Sequence, residues 1–248
     1  DGKVYVYYGT LPAILRIPLS FIIDLTTTPV ARLFVFVQAV IAASFAQVVI
    51  LRIFSGSPLG RTQTLSLILA SLVVWFGSGY FFIVQQAPIF HEPFVSGLML
   101  TSIFAAMAFH DLELRKELPG PGRLALYGLL AALCIHSRQT MAVSLVAATL
   151  VLLLWPRPGE EGAPAFDRFW RLTRRSFVPL AIIGASGLIY LWLNHVRFGQ
   201  AGQGWSREGY GYYILLGDTL RTRTFDEIGQ FNLRRVIPNG TVMLLRRR

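Results

Sequence analysis

Cysteine is almost absent: the single one, Cys134, lies inside an apolar run, so neither a disulfide framework nor a thiolate metal cluster can be assembled from this chain. Acidic residues are scarce too, 13 Asp and Glu against 23 Lys and Arg, leaving a formal charge of +10. Charged residues make up only 15% of the chain and hydrophobic ones 54%, with a mean hydropathy of +0.53. That balance suits lipid better than water. No Gly-x-Ser-x-Gly elbow and no His-Glu-x-x-His pattern occurs, which removes the usual signatures of serine hydrolases and zinc peptidases. A continuous basic face is missing as well. Lys and Arg sit in short caps between apolar runs, an arrangement that argues against nucleic acid and fits anionic lipid head groups.

What the chain has instead is six apolar stretches, over residues 33–51, 64–84, 93–109, 124–135, 139–155 and 176–194. Except for the fourth, each is close to the roughly 20 residues a helix needs to cross about 30 Å of hydrocarbon. The sequence therefore predicts an all-α, polytopic transmembrane bundle of about six crossings over residues 30–194. Residues 1–29 read as an outer-face loop that includes an interfacial or re-entrant segment at 11–23, too short to span and holding Pro12, Arg16 and Pro18. Residues 195–248 read as an outer-face tail. The chain opens at Asp1 without a signal pattern and stops at Arg248, and is expected to be the interior of a longer protein.

Charge fixes the orientation. Arg52 and Arg61 flank one turn, Arg115, Lys116 and Arg123 crowd the next charged connection, and Arg157, Arg168, Arg171, Arg174 and Arg175 fill the third. Cytoplasmic loops carry the excess of Lys and Arg, so all three face the cytoplasm, whereas 85–91, with neither, faces outward. As one helix, 124–155 would measure roughly 48 Å at 1.5 Å per residue. A single crossing there would also export the arginines of the third loop. The stretch is therefore predicted to be a helical hairpin bent at His136-Ser137-Arg138, with Arg138 at or below the outer interface, inside protein or a water-filled cavity.

This topology brings three pairs to the outer face: His91 with Glu92, His136 with Arg138, and His195 with Arg197. Arginine presents a fixed fork of donors to phosphate oxygens, and a carboxylate can take the proton of an attacking hydroxyl. Plainer readings stand beside these. His195 and Arg197 can serve a helix end or snorkel to head groups, and Glu92-Pro93 has the form of a helix start. Tyr7 and Tyr8 fit either sugar stacking or an interfacial aromatic belt. His91, Glu92 and His136 are residue types that could meet around a divalent metal, which the sequence alone does not derive, so the cofactor is left open. The glycines of 199–204 have no preceding strand and are read as a surface loop.

Several runs resemble bacterial membrane glycosyltransferases of the GT-C superfamily, of the mannosyltransferase and aminoarabinose-transferase kind. They are 1–18, with Tyr5, Tyr7, Tyr8, Leu11, Pro12, Arg16 and Pro18; Ile89-Phe90-His91-Glu92; Ser137-Arg138-Gln139-Thr140; and Val196-Arg197-Phe198-Gly199 followed by Gly209-Tyr210-Gly211. The resemblance implies an enzyme of the bacterial plasma membrane that transfers a sugar from a polyprenyl-phosphate donor to a glycan, lipid or protein acceptor at its periplasmic or outer face. It also implies an outer carboxylate, Asp1 or Glu92, as the catalytic group. His91, His136, Arg138, Arg197, Tyr7 and Tyr8 would then hold the substrate. A transporter or flippase, or a non-catalytic membrane protein, is the alternative. The transporter predicts paired helix interruptions in two halves, and only one interrupted hairpin is found.

Overall fold

In hydrocarbon a backbone can satisfy its N–H and C=O groups only within its own segment or a closed barrel, so apolar runs of this length fold as helices. The computed structural model describes residues 10–24, 30–55, 60–77, 91–115, 118–155 and 164–198, and every regular element among them is helical. These are α1 (Thr10–Ser20), α2 (Ala31–Phe54), α3 (Arg61–Leu72), α4 (His91–Phe109), α5 (Pro121–Ile135), α6 (Gln139–Leu154) and α7 (Ala165–Phe198). Wider π-helical turns extend α3 over Val73–Gly77 and α4 over His110–Leu114. The chain divides into two compact units, one Tyr8–Tyr190, the other Asp1–Tyr7 with Leu191–Arg248. Of the second unit, only the end of α7 belongs to the described residues.

Three helices are long and apolar enough to cross a membrane: Ala31–Phe54, Glu92–Leu114 and Ala165–Arg197. Arg61–Gly77, Pro121–Ile135 and Gln139–Leu154 are apolar but shorter. The surface agrees with a membrane protein. Leu33, Phe36, Ile53, Leu65, Phe76, Val143 and Phe177 point outward, while Gln38, Glu92, Ser96, Asp111 and Thr149 are buried. That distribution inverts the one water imposes.

Within the larger unit, the helix directions follow from paired positions. Gln38 meets Ser96, with Val35 and Ala39 against Val95, so α2 and α4 start at the same end. A Cβ on Gly128 would lie 2.8 Å from the Pro179 Cα, the Ser186 hydroxyl donates to the Ala132 carbonyl, and Gln139 donates to the Tyr190 hydroxyl. Residue numbers rise together along α5 and α7, so the two run parallel in direct contact, and α6 runs antiparallel to both. Arg175 donates to the Leu153 and Trp155 carbonyls, fastening the end of α6 to the early turns of α7. One end of the unit thus holds the arginine-bearing connections; the other holds α1, the starts of α2 and α4, and the hairpin bend. Leu100, Phe104, Leu124, Tyr127, Leu145 and Leu152 fill the middle, Phe104 meeting Tyr127 edge-on at 4.7 Å between ring centroids.

The hairpin breaks where the parity argument puts it, after Ile135, and resumes at Gln139. Residues 78–84 of the 64–84 stretch lie outside the described residues. One other bound differs from the expectation. The last helix starts at Ala165, not at 176, so Arg168, Arg171, Arg174 and Arg175 lie on a helix and not in a loop. Phe166, Phe169, Trp170 and Thr173 recur there at spacings of three and four, a helical pattern that the interleaved arginines disguise.

At the arginine end Asp111 is almost wholly buried and fully partnered. One oxygen accepts from Arg123 at 2.9 and 3.2 Å, with the His110 ring 3.3 Å away, and the other accepts from the Tyr127 hydroxyl at 2.9 Å. The π-helical turn, closed by the Arg115 N–H on the His110 carbonyl at 3.0 Å, turns Asp111 toward α5. Tyr127→Phe is expected to lower stability by about 1.5–3 kcal/mol, the range for a hydrogen bond to a charged group. Asp111→Ala should cost more, because it strands a buried hydroxyl. Denaturant unfolding of the two variants in detergent measures both; equal stability of Asp111→Ala and the parent would refute the clamp.

Candidate functional site

The bend is built by local bonding. The Arg138 N–H donates to the Cys134 carbonyl at 2.8 Å, and Arg138 itself is extended, at φ −142° and ψ 107°, which reverses the chain into α6. Its carbonyl then accepts from Met141 and Ala142, opening the new helix. Ser137 donates to the Pro93 carbonyl at 2.6 Å and so ties the bend to the first turn of α4. The first turn of α1 docks on the same bend. Leu11 N–H donates to the His136 carbonyl at 3.0 Å, and the Thr10 hydroxyl lies 3.1 Å from His136 Nδ1. A helix start leaves N–H groups without partners inside the helix, and the bend supplies one here.

Farther along α1, Arg16 forms an ion pair with Glu92 and lies over the Phe34 ring at 5.7 Å. The Glu92 side chain is only 5% exposed, against 28% for Arg16. Arg16 takes one carboxylate oxygen; the other, Oε1, is buried and has no hydrogen-bond partner among the described residues. Arg138 approaches the same first turns of α4 from the other side. Its guanidinium lies over the Phe94 ring at 5.6 Å, and its Cβ is 3.3 Å from where a Cβ on Gly97 would stand. Glycine at 97 is what allows α6 so close. His136 meets the Tyr190 ring edge-on at 6.2 Å. Behind Glu92, the Ser96 hydroxyl lies 2.7 Å from Gln38 Oε1 and 2.9 Å from the Glu92 carbonyl. One hydroxyl proton serves one acceptor. With the Gln38 amide turned over, its N–H₂ donates to Ser96 and Ser96 to the carbonyl, and the Gln38 oxygen takes the buried position that has no partner among the described residues.

Of the residues picked out from sequence, Glu92, His136 and Arg138 come together at this end of the unit. His91 opens α4, and its side chain lies outside the described residues, as do Asp1, Tyr7 and Tyr8. Arg197 sits in the last turn of α7, in the other unit. Sequence reasoning missed Arg16, Thr10, Gln38 and Tyr190. Arg16 left a trace all the same: a lone cation in an apolar segment too short to span needs a partner. Among the described residues no three His, Cys, Asp or Glu side chains converge as a metal site.

No protein-family model, curated protein or solved structure matches this chain. The chemistry must be argued from the side chains. A buried carboxylate with one oxygen neutralised and the other unengaged can accept a proton or a hydroxyl hydrogen bond. The guanidinium of Arg16 on that carboxylate and that of Arg138 over Phe94 in the same turns of α4, each stacked on a ring, offer donors suited to phosphate.

Proposed function

We propose that this chain is part of a membrane glycosyltransferase with a GT-C-like bundle of about six crossings, α3, α5 and α6 spanning with the three longer helices. It transfers a sugar from a polyprenyl-phosphate donor to an acceptor hydroxyl at the outer face of a bacterial plasma membrane. The observation that carries this reading is the buried Glu92 carboxylate, paired to Arg16 through one oxygen and, among the described residues, unpartnered at the other, at the end where Arg138 and His136 also lie.

Glu92 Oε1 accepts the proton of the acceptor hydroxyl as that oxygen bonds to the anomeric carbon. The bond from that carbon to the phosphate oxygen breaks, and its electron pair stays on the departing lipid phosphate. Arg138 and His136 stabilise the charge that builds there. Arg16 aligns Glu92, and Tyr190 buttresses His136 and Gln139.

Full-length protein in vesicles, given labelled polyprenyl-phosphate sugars and an envelope extract as acceptor source, is expected to release polyprenyl phosphate. Glu92→Gln and Arg138→Ala should each reduce that release by roughly 100-fold or more, while insertion and monodispersity are kept. Arg138→Lys should recover only part, since an ammonium cannot make the paired contact. Undiminished turnover in Glu92→Gln removes the assignment of the base; failure of the parent protein to turn over any donor removes the enzyme reading.

A further inference from the structure

Three polar atoms around the first turns of α4 are buried without a hydrogen-bond partner among the described residues: Arg16 Nε, Glu92 Oε1 and the Gln38 amide position turned away from Ser96. They belong to three helices, α1, α4 and α2, yet a closed circuit of contacts joins them. Arg16 pairs with Glu92 and lies over the Phe34 ring. Phe34 and Gln38 stand one turn apart on one side of α2. Gln38 meets Ser96, and Ser96, one turn farther along α4, meets the Glu92 carbonyl, which closes the ring. The guanidinium touches the carboxylate through one corner, Nη2 on Oε2, so Nε and Oε1 stay free within the same ion pair. Glu92 and Gln38 are each more than nine-tenths buried. Leaving such groups unpaired is costly, because each gives up its bonds to bulk water on burial.

Counting donors and acceptors shows what would satisfy them. With the Gln38 amide donating to Ser96, the remainder is two acceptors, Glu92 Oε1 and Gln38 Oε1, and one donor, Arg16 Nε–H. An alcohol has a single proton and leaves one acceptor bare. An anion has none. An ammonium group or a metal ion offers nothing for Nε–H to donate to, and it would face the guanidinium charge. Water donates twice and accepts as well, and about three polar partners are what a buried water has.

We propose that one ordered water is bound inside this circuit, donating to Glu92 Oε1 and Gln38 Oε1 and accepting from Arg16 Nε. A single molecule then links α1, α2 and α4. The site stands without the reaction proposed above; its consequence for catalysis rests on that reading of Glu92 as the base. A carboxylate oxygen accepts two hydrogen bonds, so the water holds the plane of the carboxylate and leaves one lone pair of Oε1 for the acceptor hydroxyl.

A density map of the full-length protein in lipid nanodiscs, at a resolution that shows ordered water, tests the site. One peak is expected within about 2.7–3.2 Å of Arg16 Nε, Glu92 Oε1 and the Gln38 amide together. Gln38→Leu should lose that peak while the Arg16 pair with Glu92 is kept, because an apolar branch replaces the second acceptor. A parent map in which Nε reaches Oε1 directly, or in which no peak is shared by the three groups, overturns the proposal without reliance on a variant. So does an undiminished peak in Gln38→Leu. A peak that vanishes when sodium is exchanged for N-methylglucamine would be an ion, which overturns the assignment to water. The peak in a parent protein that turns over no lipid-linked sugar supports the site and removes only its consequence for the base.

Discussion

Gly128→Leu is expected to leave no monodisperse protein, and Gly128→Ala to lower the unfolding midpoint markedly. A single methyl at Gly128 would stand 2.8 Å from the Pro179 Cα, 2.9 Å from its Cβ and 2.9 Å from its carbonyl oxygen. None of these is the far end of a flexible side chain, so α5 and α7 must separate. Forcing a methylene into a well-packed contact costs typically about 1–3 kcal/mol, and leucine adds three more carbons. Separation would also strain the bond farther along the same seam, from Ser186 to Ala132. The internal control is on α7 itself. Cβ atoms on Gly184 and Gly187 would meet nothing within 4 Å, so alanine at either is expected to be neutral or to stabilise by up to about 1 kcal/mol through helix propensity. Thermal unfolding with size-exclusion chromatography of the three alanine variants decides it. Equal midpoints at 128 and 184 would mean that the seam does not close as described.

Arg16→Ala is expected to cost about 3–5 kcal/mol, toward the lower value because the arginine is partly exposed. The loss arises less from the missing attraction than from a carboxylate left without its partner in a site that is only 5% exposed. Replacing both, Arg16→Met with Glu92→Met, should restore most of the stability, since two apolar side chains need no pairing. Denaturant unfolding of the single and double variants forms a closed cycle. The double variant also separates folding from chemistry, because it is expected to be stable and inactive. A single Arg16→Ala variant as stable as the parent would show that water reaches Glu92 and that the pair is not buried in the working protein.

The elements that could be read from sequence are those fixed by one-dimensional constraints. The turn at His136-Ser137-Arg138 followed from length and charge parity, and the start of α4 from Glu92-Pro93, where an acid suits the helix dipole and proline needs no partner for its nitrogen. Contacts between distant residues were not legible. Arg16 and Glu92 are 76 positions apart, and nothing in either neighbourhood names the other. The segment 11–23 was expected to be interfacial or re-entrant; Thr10–Ser20 is helical, with Pro12 in the first turn, where no bond is lost, and Pro18 inside the helix. Nothing in the sequence around Asp111 names its partners either. Only the π-helical turn, which changes the angular position of the residues in it, brings it onto Arg123 and Tyr127.

If the two hairpin arms cross the bilayer as proposed, their brevity has a consequence for the lipid around them. At 15 and 16 residues, α5 and α6 rise roughly 23 and 24 Å, several ångströms less than an ordinary hydrocarbon layer. Bilayers meet such a deficit by thinning beside the short element, at a fraction of a kcal/mol per ångström. In the proposed six-crossing bundle the leaflet next to residues 136–138 would then be drawn inward as a dimple, and a lipid arriving there would present its phosphate several ångströms deeper than its neighbours do. Arg138 would not have to reach up to the surface; the surface would descend to it.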